Sequence, residues 1–479
     1  MDELLINIVT NTKVNNIETR ISNPITGKKY PNRTIYVLLK KYVDDFFKTG
    51  SEPRMVGLAG LRGTGKTTLM WQIADYLKES KIPIYFFNVN EIQTAGYNLY
   101  EILKAFEKFV LKKSFREFNK PLVLLFDEIH DDPDWARTLK ILYDEAKTTF
   151  ILCTGSSALL LQSTEDLARR IKIEKVYPFR FIEFITAKSF LEKNKTIYPQ
   201  KSLASDLKQI FFYSNSVEEL HKNLNTKKDK IKEYYKEINS TFNEEKDLLL
   251  VSEYIKYHNV PAFIFYKDKS LIFDSIIDLF SRVIDQDIKK LGNNISVSSK
   301  IILKLLLQLA ISDEINFDAL SKKTGINKTD IEQILDLLEK AELINILNPY
   351  GGSETRIWKN KKIFFMSPSL RLALLSIIYG SKSDKFSSKL YEDIVAMYLI
   401  KTLNNGIVSI AKQTESTTPD FIIETLDKPL AIEVGSSKAT TDQFSKIDYR
   451  YGILVSNNIE DTSISSNYLK LPLKWFLLL

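Results

Sequence analysis

The segment GLRGTGKT, Gly60 to Thr67, fits the spacing G-x-x-x-x-G-K-[ST]. Gly60, Gly63 and Gly65, with Thr64 between the last two, let the backbone wrap an anion so that its N–H groups meet a phosphate. Lys66 is placed to neutralise charge on the β- and γ-phosphates of ATP. Thr67 is placed to offer its hydroxyl to Mg²⁺, and Thr68 to sit near the α-phosphate. Arg62, inside the loop, either reaches a phosphate or faces water. Further along, the apolar run VLLFDE ends in two carboxylates. A strand presents its C-terminal carboxylate at the mouth of a sheet, so Asp127 is read as the second magnesium ligand and Glu128 as the group that polarises an attacking water. His130 follows closely and is expected to pack or hydrogen-bond.

Three weaker signals come next. TGSS, with Thr154, Ser156 and Ser157, fits a sensor of the γ-phosphate, with Ser156 in the catalytic set, or a cap for the helix ALLLQS. In LARR, Arg169 or Arg170 stabilises phosphoryl charge, in cis or from a neighbouring subunit, or pairs on the surface with Glu165 or Asp166. Near the C-terminus, TTPDFIIETLDKPLAIEVGSSK sets Asp420 and Glu433 on two apolar strands, as in the metal site of a PD-(D/E)XK nuclease. Glu392, on a preceding helix, would complete a second metal site. Gly435 stands where the lysine of that motif belongs, and Lys412 and Lys438 are the nearby replacements.

These residues need elements to hold them. MVGLAG reads as a buried strand entering the glycine-rich turn, with a helix from about Lys66 to Ser80. IPIYFFNVN, PLVLLFDEI and TTFILCTG are further strand-length apolar runs separated by helical stretches, which implies an α/β domain with a parallel sheet over residues 1–185. Residues 186–292 read as a helical lid, within which 200–246 is a lysine-rich insertion, either a solvated hairpin or a partner-binding arm. Residues 293–380 read as three helices and a two-stranded wing, and 384–479 as a last α/β domain.

A chain of 479 residues with 44% hydrophobic and 27% charged content is expected to form two to four globular domains. No apolar run approaches the roughly 20 residues of a membrane span, and the first residues lack a basic then apolar leader, so the expectation is a cytoplasmic protein without membrane contact. The single cysteine, Cys153, lies in an apolar run and reads as a buried inert thiol. A net charge of +7 gives weak support to nucleic-acid contact.

The chain resembles the archaeal and bacterial P-loop ATPases of the AAA+/STAND group that carry a winged helix and a C-terminal nuclease-like domain. GLRGTGKTTL, LLFDEIH, TGSSALLL, LARRIKIEKVYPFRFIEF, NVPAF, DQDIKKL, LEKAELINILNPY and IEVG carry the resemblance, in the family's order. It implies nucleotide contacts at Gly60, Gly63, Gly65, Lys66 and Thr67, magnesium through Thr67 and Asp127, Glu128 as catalytic base and a functional arginine at Arg170. Arg169 replaces the usual glycine of that motif, which leaves open which arginine acts.

Within the third domain, Lys328 and Lys340 face Asp330, Glu332, Asp336, Glu339 and Glu342 on what would be the recognition helix. Insertion of such a helix into a groove is repulsive, so this domain either contacts DNA through the wing, with Arg356, Lys359, Lys361 and Lys362, or is a docking module within the chain, and the C-terminal domain is the other candidate for DNA contact. The leading reading is an ATP- and Mg²⁺-dependent switch acting with DNA, a protein partner or another copy of itself, its nuclease-like domain inactive. The rivals are an ATP-gated nuclease using Asp420 and Glu433, and a non-hydrolysing interaction protein that recruits a partner through 200–246.

Overall fold

The computed structural model describes residues 3–155, 167, 169–193, 195–243, 247–288, 297–312, 315–352, 355, 361–403, 407–411, 418–435, 444 and 447–479. Ser156, Ser157, Glu165, Asp166, Arg356, Lys359, Lys412 and Lys438 lie outside these residues. The chain divides into two compact units, Met1–Tyr177 and Pro178–Leu479.

In the first unit the elements run α1 (Glu3–Thr10), α2 (Glu18–Ile21), α3 (Tyr36–Thr49), β1 (Met55–Ala59), α4 (Lys66–Lys78), β2 (Ile84–Asn88), α5 (Val89–Thr94), α6 (Leu99–Phe106), β3 (Leu122–Asp127), α7 (Trp135–Glu145), β4 (Thr149–Gly155) and β5 (Lys172–Lys175). The five strands form a parallel sheet in the order β2-β3-β4-β1-β5. Every residue of β1 and β4 is buried. That is why these strands read as continuous apolar runs, since helices cover both faces. One face packs on Leu103, Phe106, Trp135 and Leu139, the other on Leu39, Val43, Leu69, Ile73 and Leu77. Leu39, Val43 and Phe46 recur at helical spacing along α3, so one stripe of that helix is buried. Beside β1, the edge strand β5 is KIEK, and a Cβ at Gly57 would stand 2.7 Å from Ile173 Cδ1, so β1 and β5 meet where no side chain fits. On the opposite edge the N-terminal chain lies along β2, with Phe86 N donating to Thr12 O at 2.8 Å and Val14 N to Ile84 O at 3.0 Å. This pairing covers the exposed edge of β2.

The second unit opens with α8 (Phe181–Glu192), α9 (Lys201–Tyr213), α10 (Val217–Asn225), α11 (Lys228–Phe242), α12 (Asp247–Glu253) and α13 (Lys269–Arg282). Three helices follow, α14 (Ser299–Ile311), α15 (Phe317–Thr324) and α16 (Lys328–Lys340), then an antiparallel hairpin of β6 (Ile344–Leu347) and β7 (Lys362–Phe365). After α17 (Pro368–Tyr379) and α18 (Ser387–Leu403) come β8 (Val408–Ser409), β9 (Phe421–Ile423), β10 (Leu430–Val434), β11 (Gly452–Ser456), β12 (Ser463–Ser465), β13 (Tyr468–Pro472) and α19 (Leu473–Phe476). These last strands make a mixed sheet in the order β12-β13-β11-β10-β9-β8.

The described residues of the stretch 200–246, which are 200–243, are helical as expected, but they form neither a solvated hairpin nor a projecting arm. Leu220, Leu224, Ile231, Tyr234 and Ile238 are buried. The Tyr451 hydroxyl donates to Phe211 O at 2.9 Å, and Lys228 pairs with Asp461 at 2.6 Å, so these helices pack on the C-terminal sheet. The polar residues lie on the outer face of helices whose inner face is apolar.

A buried ion pair ties α17 to α18. The Arg371 guanidinium donates to both Asp393 carboxylate oxygens at 2.6 and 2.8 Å and to Ala310 O at 3.1 Å, and Phe365 N donates to Asp393 at 2.8 Å. Asp393→Ala leaves that guanidinium buried without its counter-ion. Denaturant melting is expected to show a loss of about 3–5 kcal/mol, and an unchanged midpoint would show that the pair carries no stability.

Candidate functional site

The phosphate-loop residues converge at the C-terminal end of β1. The chain leaves the strand at Gly60, where a Cβ would stand 2.5 Å from Val176 O, and enters α4 through Gly65 at φ +87°, a conformation that glycine adopts without strain. Lys66 is buried, its ammonium on Gly60 O at 2.8 Å and Leu61 O at 3.2 Å. Thr64 points inward and donates to Leu61 O at 2.8 Å, bracing the turn. Arg62 and Thr68 are half-buried beside it.

Asp127 sits where β3 ends, and Thr67 donates to its two oxygens at 2.9 and 3.2 Å. Thr154, at the end of the neighbouring β4, donates to Asp127 and accepts from Glu128 N at 3.2 Å. Thr154 thus ties the ends of β3 and β4 together, and the helix ALLLQS lies outside the described residues. Burial pushes the Asp127 carboxyl above the usual carboxylate range, against the pull of the Thr154 and Thr67 hydroxyls and the Lys66 ammonium. The carboxylate and the threonine hydroxyl form an oxygen-only donor set beside a phosphate loop, which suits Mg²⁺. Glu128 adopts a left-handed backbone, φ 53°, directly after the strand that ends in Asp127, and its side chain is one-third exposed. Its Oε2 lies 3.4 Å from His130 Nδ1, and the His130 ring is buried, so His130 packs against the candidate base.

One residue absent from the sequence reading braces this site. The Arg33 guanidinium donates to Thr64 O at 2.8 Å and to Tyr177 O at 2.9 Å, so it joins the phosphate loop to the last residue of the unit. Nothing about a lone arginine ahead of α3 announces this role.

Arg170 is a correction. Its guanidinium makes a two-pronged pair with Asp144 at 3.0 and 3.1 Å, holding that carboxyl below the usual range. In the parallel pairing of β5 with β1, Lys172 lies opposite Val56, so Arg170 lies beyond the N-terminal ends of these strands. The phosphate loop lies at their other ends, and Arg170 does not reach it in cis. Arg169 is exposed at the same far end. The surface partner of Arg170 is Asp144, whereas the expected partners Glu165 and Asp166 lie outside the described residues.

In the second unit, Asp420 and Glu433 are brought together across the antiparallel β9–β10 pairing. Asp420 N donates to Glu433 Oε2 at 3.2 Å and Val434 N to Asp420 Oδ2 at 3.0 Å. Glu392 on α18 joins them, but through Lys362, whose ammonium lies 2.7 Å from Glu392 Oε2 and 3.3 Å from Asp420 Oδ1. This corrects two expectations. Lys362 is 12% exposed and does not face a nucleic acid. Among the described residues, no group of three His, Cys, Asp or Glu side chains is spaced to hold a metal, so Glu392, Asp420 and Glu433 are not a formed metal site. Burial, followed by the Asp420 charge, pushes the Glu433 carboxyl up to about 9.

The comparisons with known proteins follow this geometry. Residues 52–185 match the family described as an AAA domain, and residues 260–379 match a domain of unknown function (DUF8612). An uncharacterized protein of Methanocaldococcus jannaschii is 29% identical over 460 residues, 94% of this chain and 90% of the relative. An uncharacterized protein of Haemophilus influenzae is 23% identical, covering 88% of this chain and 93% of its own. Among solved structures, the Aeropyrum pernix ORC1 protein in complex with DNA is similar at 10% identity and a TM-score of 0.32, covering 78% of this chain and 99% of that one. Within the first unit, an α/β domain with a parallel sheet and a phosphate loop, residues 52–185 are similar to an AAA domain. Among the described residues, no helix is long and apolar enough to cross a membrane.

Two expectations follow from the site. Arg33→Gln removes two charge-assisted hydrogen bonds from the loop and its neighbour, and titration with an ATP analogue should show affinity weakened about tenfold, on the order of 1.4 kcal/mol. For Glu433, the folded carboxyl holds its proton to about 9, whereas the unfolded one releases it near 4.5. Stability from this group is full below the lower value and is lost as pH rises through the upper one. Melting temperatures of Glu433→Gln and wild type should therefore diverge in favour of the variant across this window. Parallel pH profiles would mean that Glu433 is ionised in the folded chain.

Proposed function

We propose that this chain is an ATP-binding and ATP-hydrolysing molecular switch, with the second unit as its output. The observation that carries the reading is the convergence of Lys66, Thr67, Asp127, Thr154 and Glu128 at one end of a parallel sheet. Gly60, Gly63, Thr64 and Gly65 shape the loop that takes the phosphates, and Lys66 exchanges its two carbonyl partners for phosphate oxygens, which are stronger acceptors of a charged donor. Thr67 and Asp127 would hold Mg²⁺, which would supply charge neutralisation to the bound phosphates. Glu128 accepts a proton from the attacking water, while Thr154 fixes the backbone that carries it. His130 limits the swing of that carboxylate.

The partner of the switch is a nucleic acid, a protein or a second copy of the chain, in a cytoplasmic setting. The 293–380 region has winged-helix character, and two features favour a docking module over a groove reader. The lysines of α16 are engaged, Lys328 with Asp318 at 2.6 Å and Lys340 with Asp336 at 2.7 Å. Of the basic residues expected on the wing, Lys361 is half-buried and Lys362 is turned to the carboxylates. The C-terminal domain is read as nuclease-like in architecture without cutting activity.

The test is turnover by the purified chain. Glu128→Gln is expected to keep ATP affinity and to lose about 10²–10³ in turnover rate, and Lys66→Ala to lose binding as well. ATP hydrolysis at the wild-type rate in both variants would remove the basis of the proposal.

A further inference from the structure

Gly435 leaves the C-terminal carboxylates without the lysine their pattern asks for, yet the cluster contains a cation. Lys362 comes from another part of the chain, the first residue of β7, and its ammonium bridges Glu392 Oε2 at 2.7 Å and Asp420 Oδ1 at 3.3 Å. Glu392 is 14% and Asp420 17% exposed, so water screens this pair weakly. Glu433 completes the cluster through its bond from Asp420 N. The same hairpin meets the C-terminal sheet at two further places. Phe364 packs on Phe421 with ring centroids 5.0 Å apart, and Tyr350 N donates to Ile410 O at 2.8 Å while Ile410 N donates to Asn348 O at 3.0 Å. The ammonium is therefore one part of a continuous joint. A divalent ion bound to Glu392 and Asp420 would compete with it for both carboxylates and would have to sit beside a buried positive charge.

We propose that Lys362 is the resident cation of this cluster, and that the four side chains form a charge latch holding the β6–β7 hairpin against the C-terminal sheet, in the position where a metal-dependent cutting site would need its ion. The latch does not depend on nucleotide chemistry, so the proposal and the ATPase reading fail separately.

The test is a thermal-melting cycle on the full chain without nucleotide, each protein measured with EDTA and with millimolar MnCl₂. Lys362→Met is expected to lower the melting temperature by about 5 °C or more, because the Glu392 and Asp420 carboxylates lose their shared counter-ion. Adding Asp420→Asn should restore part of that loss, so that the double variant melts above the sum of the two single effects. If Lys362→Met yields no soluble chain, recovery of soluble protein in the double variant reads out the same coupling. Wild type should melt alike with and without manganese. Three results would overturn the latch: a melting temperature unchanged in Lys362→Met, additive single effects or an insoluble double variant, and a manganese-dependent rise in wild type that Asp420→Asn abolishes. Plasmid nicking by wild type in manganese that Asp420→Asn removes would likewise replace the latch with a nuclease centre.

Discussion

Asp127 is a carboxylate taken out of water, and the groups that compensate it come from separate elements. Thr67 reaches it from the first turn of α4, and Thr154 from the end of β4. A buried carboxylate without such donors carries a penalty of several kcal/mol, so the loop, β3 and β4 must end in register with one another. The continuous apolar sequences of β1, β3 and β4 provide that register, because strands buried on both faces cannot slide without burying their polar ends. The left-handed turn at Glu128 follows from the same constraint. Asp127 is held inside the sheet edge, and the next carboxylate has to turn outward to avoid a second buried charge.

The C-terminal cluster solves the same problem with opposite chemistry. Around Asp127 the nearest donors are neutral hydroxyls, which satisfy hydrogen bonds but leave the negative charge available to an incoming cation. At Asp420 the donor is an ammonium fixed by the chain itself, which cancels the charge on the spot. Glu433, deeper and beside Asp420, is left with the less expensive option of holding a proton. Two sites with carboxylates at strand ends thus differ in what they can receive, and the difference lies in the compensating side chain and not in the acids.

That contrast marks what was legible in the sequence. GLRGTGKT and VLLFDE were readable because loop, strand and carboxylates are contiguous, and a local pattern dictates a local backbone. The pairing of Asp420 with Glu433 was readable for the same reason, across one short turn. Arg170 misled because distance along the chain does not say at which end of a parallel sheet a residue emerges. Arg33 and Lys362 were invisible in their roles, since each acts on residues far away in the chain and neither sits in a pattern. The helices of 200–246 were visible as helices, but the partner of their apolar face was not, because a stripe of Leu, Ile and Tyr specifies burial and not what buries it.

Arg33 also explains how a small loop is tied to the exit of its domain. Val176 N donates to Ala59 O at 2.7 Å, and Val176 O lies against Gly60 so closely that no Cβ fits between them. Arg33 closes the arrangement from the other side, holding Thr64 O and Tyr177 O with one guanidinium. Phosphate loop and exit strand are therefore packed backbone to backbone, with a charged clamp across them. In a close-packed contact of this kind a displacement of Gly60 or Thr64 cannot be absorbed by side-chain rearrangement and must move Val176 and Tyr177. Those residues precede Pro178, where the second unit begins. The phosphate loop and the last residues of the first unit are thus held by one set of contacts.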